Sequence, residues 1–510
     1  YKFNGYTLYI EDTLHLDSFP DIGEGRGKLM PEEVRELDAQ AQRLGLELFP
    51  TFQLLGHCEN LLRLPNYRSL SVPTPQFRNT LDPEKVKDFI PRVLDDVCPL
   101  FSSRYFHMGF DETNGVDEDA FIAHANFCAG ELVKRGKTPV AYVDMLYKCF
   151  DRLDELHPAI IPVVWGYAPE VLQDSRLKYW HEANSHRTTW ALSGYKSWSV
   201  SFPQNEAAFA CHRLWSELLE ENGADVISSS IWGDHGYENQ RQSGWFGYAG
   251  FADFAWNGSH TDEASLPERF SSTFYGERTP EIKAFLHEIP SGLRVKTWPL
   301  LRANQNALKR QLHHNPQLLK DARHDLDLLE HHFDGLSRAK AEVKLNSAHL
   351  EHHFVNILRA MSVCKRIIFA AATTPAETER KKLVGELLRT RDRFRDLWLR
   401  HNRPENVEVA LEVFDNVIGD MEASVAFPVD SNCIPLDISE SYNAYEEGLA
   451  GIPIDRGACQ TVPFSFADKE RTHVEIPGGE ELIVQFEEQA VNDLHVLVTG
   501  EKNGEDRPAP

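Results

Sequence analysis

The chain has no Cys-x-x-Cys pair: its eight cysteines, at 58, 98, 128, 149, 211, 364, 433 and 459, are scattered. This spacing indicates neither a zinc ribbon nor a thioredoxin-like site. Several of these cysteines fall among apolar residues of expected helices, where a free thiol behaves as a small hydrophobe. A reducing, cytoplasmic compartment fits. A secreted or periplasmic one stays open, because a sequence that starts at Tyr1 leaves room for a removed leader. Equally absent is any run of 18 apolar residues, so no membrane partner is expected. Positive charge is scarce: 53 Lys and Arg against 78 Asp and Glu leave a net charge of −25. Such a surface repels a nucleic-acid backbone and suits a neutral substrate.

What is present is an alternation. Strand-like stretches at 6–12, 46–53, 104–111, 138–144, 160–165, 188–195 and 225–232 are each followed by a helical pattern. These helices are expected from Pro31, from Asp82, around 117–135, around 146–156, around 169–183 and from Pro203 to about 221, with short helices over 245–290. Strands rich in Val, Ile, Leu and aromatics, each feeding a helix, indicate a parallel sheet buried on both faces. The expected fold is α/β, a TIM-type (β/α)8 barrel over residues 1–295. Seven strands are counted where eight close a barrel, so the first β/α unit is expected upstream of Tyr1. An α-helical domain follows over 296–427, with long amphipathic stretches at 318–333, 350–372 and 377–401. Alternating patterns over 428–510 suggest a small β-rich segment with a disordered tail. His-His-Phe occurs at 331–333 and again at 352–354. Adjacent helical side chains diverge by about 100° and make poor co-ligands, so a solvated face is expected there.

Barrel enzymes draw their working residues from the C-terminal ends of strands. Those ends carry Glu11/Asp12, His57/Glu59, Asp111/Glu112, Tyr142/Asp144, Trp165/Tyr167, Tyr195/Trp198 and Trp232/Asp234. Acids beside aromatic walls suggest a carbohydrate pocket: rings stack on sugar C–H faces while carboxylates accept hydroxyls. The Asp-Glu pair by itself says little, since the chain holds four such dipeptides, at 111, 117, 154 and 262. The pair at 111 stands apart because it follows a strand, with His107 and Gly109 at fixed offsets.

The motif His107-Met-Gly-Phe-Asp111-Glu112 resembles the His-x-Gly-x-Asp-Glu signature of glycoside hydrolase family 20, the β-N-acetylhexosaminidases. The likeness extends through Tyr9-Ile-Glu-Asp-Thr, Gln53-Leu-Leu-Gly-His-Cys-Glu59, Tyr142-Val-Asp-Met and Trp232-Gly-Asp-His-Gly-Tyr-Glu238, covering roughly residues 1–290. It implies exo-acting, retaining, substrate-assisted release of terminal β-linked GlcNAc or GalNAc, with no metal or organic cofactor. Asp111 would orient the acetamido N–H, Glu112 would act as general acid and base, and the Tyr195 hydroxyl would hold the acetamido oxygen. Asp12 and His57 would form a relay to the general acid, with His107 in support. Trp165, Trp232, Tyr142 and Trp198 would wall the sugar, and Asp234 and Glu238 would accept hydroxyls. Three departures bear on substrate preference: no first strand supplies an Arg for O3 and O4, Tyr142 stands where Trp is usual, and Ser197 replaces an acid. Two other readings stay open: an impaired glycan-binding protein on this scaffold, and an ordinary glycosidase pairing Glu112 with Asp234 or Asp144. A homodimer through the helical domain is a further possibility.

Overall fold

The computed structural model describes residues 3–73, 79–168, 175–222, 226–233, 240–372 and 376–423. The expected β-rich segment over 428–510 lies outside these residues, as do Asp234 and Glu238. Seven strands form one sheet: β1 (Gly5–Tyr9), β2 (Glu47–Thr51), β3 (Tyr105–His107), β4 (Thr138–Tyr142), β5 (Ile161–Trp165), β6 (Trp190–Gly194) and β7 (Ile227–Ser230). Their spatial order follows the chain and every pairing is parallel.

Seven strands in a flat sheet would set the outer two about 29 Å apart, at about 4.8 Å per interval. Instead Tyr9, at the end of β1, meets Trp232, just past β7, edge to face with ring centroids 5.3 Å apart. The sheet is therefore curled into a (β/α) barrel, and the C-terminal ends of its strands converge.

Helices of eight or more residues among the described segments are α1 (Pro31–Arg43), α2 (Phe89–Val97), α3 (Glu118–Lys134), α4 (Ser175–His186), α5 (Asn205–Asn222), α6 (Trp245–Asn257), α7 (Pro280–Gly292), α8 (Gln305–His314), α9 (Gln317–Glu342), α10 (Leu350–Ala370), α11 (Glu377–His401) and α12 (Val407–Ala423). Proline at the first position and Glu32 and Glu33 in the first turn start α1. Asp117 caps α3 by accepting the Ala120 N–H at 2.9 Å. Two expectations shift. The helix foreseen from Asp82 begins only at Phe89, after a turn in which Asp82 accepts the Glu84 N–H. The helix foreseen around 146–156 is instead two 3₁₀ segments, Asp144–Leu146 and Phe150–Glu155.

One apolar core fills the space between strands and the outer helices α1 to α5, through residues such as Ile10, Leu54, Phe106, Phe110, Val164, Trp180 and Trp215. A second runs from Phe202 and Phe209 through α6 and α7 into the bundle α8–α12. The His-His pairs were expected on a solvated face, but His332, His352 and His353 are buried. They sit where α9 and α10 pack against α7 and the 240–244 turn, so burial holds the imidazoles neutral: His352 is pushed down to about 3.

Candidate active site

The Asp-Glu pair can face one pocket only if the strand stops before it, since strand neighbours point to opposite faces. It does stop. β3 ends at His107, and Gly109, Phe110 and Glu112 then take φ of +75°, +83° and +48°. Among the described residues seven non-glycines have positive φ, and four of them (Glu11, His57, Phe110, Glu112) stand at these strand ends. Left-handed backbone at bulky residues is costly and is kept where the surroundings over-determine it, as at functional sites.

Two glycines permit the close approach. A Cβ on Gly109 would lie 1.8 Å from Gln53 Oε1, and one on Gly56 would lie 2.4 Å from the Asp111 carbonyl oxygen. His107 builds the turn. Its Nδ1 accepts the Gly109 N–H at 3.0 Å, so Nε2 carries the proton. The ring lies 4.3 Å from that of Tyr142, and burial pushes its pKa down to about 4.

Asp111 is nearly buried. Its Oδ1 accepts the Gln53 Nε2–H at 3.0 Å, and its Oδ2 lies 3.3 Å from His57 Nε2. Burial, the strongest single influence, works to raise its pKa, but His57 and Gln53 together outweigh it and hold the carboxyl below its ordinary value. The same His57 Nε2 lies 3.5 Å from Glu112, whose side chain is 61% exposed. Burial of His57 opposes its charge, yet the two carboxylates raise its pKa to about 11. His57 is thus a cation bridging both acids.

Behind Glu112 stands Asp144. Its Oδ2 accepts the Glu112 backbone N–H at 3.0 Å and its Oδ1 the Trp165 indole N–H at 3.3 Å. Burial, with Asp111 nearby, raises it to about 6. Aromatic rings complete the enclosure. Trp165 stacks on Tyr167 at 5.1 Å, Trp198 meets Tyr167 edge-on at 5.4 Å, and Trp232 donates its indole N–H to the Tyr167 hydroxyl at 3.0 Å. Tyr9 accepts from Gln53 Nε2 at 3.0 Å.

Two expected placements differ. Tyr195 is not in this enclosure: its ring is packed beside Gly244 and Gly247, and its hydroxyl donates to Asn205 Oδ1 at 2.6 Å, among α5, α6 and α7. The strand-end alternation puts Tyr195 behind the sheet, and a buried phenol takes the partner it finds there. Asp12 does not contact His57; both its carboxylate oxygens lie 3.0 Å from Arg26 Nε, while Arg26 Nη2 lies 3.7 Å from Glu11. Burial raises Asp12 despite that cation, and burial with Glu59 and Asp12 raises Glu11 to about 7. Glu11, Asp12, Gln53, His57 and Asn60 together line one small cavity.

The structure also brings in residues given no role from sequence. Gln53 and Tyr9 lie inside quoted motifs, and Tyr167 was visible as a strand-end aromatic. Nothing beyond a glycine-rich stretch signalled Arg26.

No family model matches the chain. Hexosaminidase D of Bos taurus is 23% identical over 262 residues, which cover 45% of this chain and 74% of that protein. Two solved structures are similar at TM-scores of 0.41 and 0.43. The β-N-acetylhexosaminidase from Bacteroides fragilis is 18% identical, covering 50% of this chain and 59% of that one. The GH20 β-N-acetylhexosaminidase from Streptomyces coelicolor is 19% identical, covering 53% and 61%. The chain thus spans about three fifths of those two structures. In the motifs along its strand ends the chain resembles glycoside hydrolase family 20, and over 45% of its length it is similar to this hexosaminidase.

Proposed function

We propose that the chain is an exo-acting β-N-acetylhexosaminidase that hydrolyses terminal β-linked GlcNAc or GalNAc with retention, using the substrate's own acetamido group as nucleophile. The observation that carries this reading is the pairing of a nearly buried, ionised Asp111 with an exposed Glu112 across His57, inside an aromatic wall.

In the first step the acetamido oxygen bonds to C1 as the glycosidic C1–O bond breaks, giving a cyclic oxazolinium. Glu112 enters this step as the protonated acid: the leaving oxygen takes its proton, and Glu112 becomes the carboxylate that pairs with His57. In the second step the Glu112 carboxylate removes a proton from water, whose oxygen bonds to C1 and reopens the ring. The tethered nucleophile supplies proximity, where effective molarities reach about 10⁵ M or more. Asp111, kept charged by His57 and Gln53, accepts the acetamido N–H and balances the positive charge that grows on the ring. Tyr167 takes the role that the motif implied for Tyr195. Its hydroxyl accepts the Trp232 N–H, and its ring stands between Trp165 and Trp198, where a sugar's acetamido group would be enclosed. Trp165, Trp198 and Tyr142 line the sugar; Asp234 and Glu238 remain proposed hydroxyl acceptors.

A two-carboxylate scheme through Asp144 is disfavoured because both its oxygens already accept N–H groups of the site. The test is a panel of aryl β-glycosides of GlcNAc, GalNAc, Glc and Gal, with a thiazoline mimic of the oxazolinium as inhibitor. Cleavage confined to the 2-acetamido sugars, with tight competitive inhibition, is expected. Equal cleavage of the 2-hydroxyl sugars would refute the mechanism, and saturable sugar binding without turnover would refute the activity.

A further inference from the structure

The loop that carries Arg26 has little stiffness of its own. In Asp21-Ile-Gly-Glu-Gly-Arg-Gly-Lys28 every second residue from Gly23 to Gly27 is glycine, with φ of +68°, +72° and +71°. Such a segment loses much conformational freedom when ordered, so its position must be imposed from outside. Lys28 Nζ donates to the Pro20 and Ile22 carbonyl oxygens and Asp21 accepts from Asn66 and Tyr67, while a further restraint, on the Arg26–Lys28 side, comes from far along the chain. Arg403, in the turn between α11 and α12, donates Nη1 to the carbonyl oxygens of Lys28 at 2.6 Å and Gly27 at 3.3 Å, and its Nη2 pairs with Glu33 at the start of α1. Asn406 Nδ2 donates to the Arg26 carbonyl at 3.4 Å, and Glu405 packs beside Gly27. At its other end this loop presents the Arg26 guanidinium to Glu11 and Asp12, which share a cavity with His57.

We propose that Arg403 is a positioning residue for the acid cluster, acting through Arg26: it fixes the glycine-rich loop so that the guanidinium stays seated on Glu11 and Asp12. The helical bundle thereby takes part in the reaction without touching substrate, and this role rests on the hydrolase reading above. Releasing Arg403 lets the loop sample other conformations and leaves the buried Asp12 and the half-buried Glu11 without their neighbouring cation. Besides Arg26, the groups facing these carboxylates are Glu59, Arg63, Tyr9, Cys58 and His57. Losing Arg26 therefore raises the pH at which Glu11 and Asp12 become charged.

The test uses the full chain and p-nitrophenyl β-GlcNAc. R403A is expected to lower kcat/KM about tenfold and to move the acid limb of its pH profile upward by about one pH unit. R26Q should do the same, and R26Q/R403A should be no worse than either alone, because the two act in series. The control is R391A, which cuts the Arg391–Asp415 ion pair between the same two helices without reaching the loop, and should leave the profile in place. Additive losses, or an R403A variant that melts earlier with an unmoved profile, would overturn the proposal. Amide hydrogen exchange over residues 21–28 separates the two possible failures. Faster exchange in R403A and not in R391A, with an inactive wild type, would reject the hydrolase reading and keep the restraint. Unchanged exchange would reject the restraint itself.

Discussion

Replacing His57 by glutamine removes a charge and keeps a hydrogen-bonding side chain of similar reach, so it isolates the electrostatic part of the site. The cation lies 3.3 Å from Asp111 and 3.5 Å from Glu112, but the two partners are not equivalent. Glu112 is 61% exposed, so solvent screening limits its share to under about 1 kcal/mol. Asp111 is only 12% exposed, and breaking so enclosed a pair costs about 3 kcal/mol. The loss should depend on pH in a particular way. His57 has a folded pKa of about 11 against an ordinary 6.5, so its contribution is full below pH 6.5 and fades as pH climbs towards 11. Asp111 is lowered from 3.8, so its contribution is present above that value and fades as pH falls through the lower, folded one. The stability gap between wild type and H57Q should therefore be widest at about pH 4–6.5 and narrow on either side. Urea midpoints at pH 5, 7, 9 and 10.5 would measure it. A gap that is constant across this range, or widens with pH, would refute the assignment of His57 as the bridging cation.

Three further outcomes are expected. Gly109→Ala combines a left-handed φ with a Cβ 1.8 Å from Gln53 Oε1, so it should destabilise the chain by about 2–4 kcal/mol and displace the amide that holds Asp111; a variant within 0.5 kcal/mol of wild type in denaturant, about the scatter of a neutral surface change, would contradict the close packing. Asp144 has its pKa raised to about 6, so Asp144→Asn should gain relative stability as pH rises from 5 to 7, while kcat falls because the Glu112 turn loses a charged acceptor; paired melting and rate profiles would detect both, and a gain on lowering the pH would show the sign to be wrong. Tyr167→Phe should cut kcat at least tenfold, the scale of a lost charge-stabilising hydrogen bond, whereas Tyr195→Phe should chiefly lower thermal stability; the reverse pattern would return the acetamide contact to Tyr195.

Much of the site was legible from residue order because barrel topology turns sequence position into place. A residue at the end of a parallel strand is at the rim, whichever strand it is on. Asp111, Glu112, His57, Trp165 and Trp232 were named this way, and one run of contacts through His57, Asp144 and Tyr167 joins them. Direction was harder to read. A rim position one residue out of phase points behind the sheet, as Tyr195 does with its hydroxyl on Asn205. Hydrogen-bond partners were harder still: Asp12 was assigned to His57 on motif order, but the nearest cation in space is Arg26, fourteen residues along a glycine loop.

From the sequence alone came the alternation of strand and helix, the parallel barrel and the rim position of the acid pair, because side-chain periodicity and strand-end punctuation are local properties of the chain. Only the tertiary structure decided that His57 lies between two acids that raise its pKa, that Tyr167 joins Trp165, Trp198 and Trp232 while Tyr195 bonds Asn205, and that Arg403 reaches back to the loop of Arg26. Those facts depend on distances between residues tens to hundreds of positions apart and on how deeply each charge is taken out of water. Neither is a property that any short stretch of sequence carries.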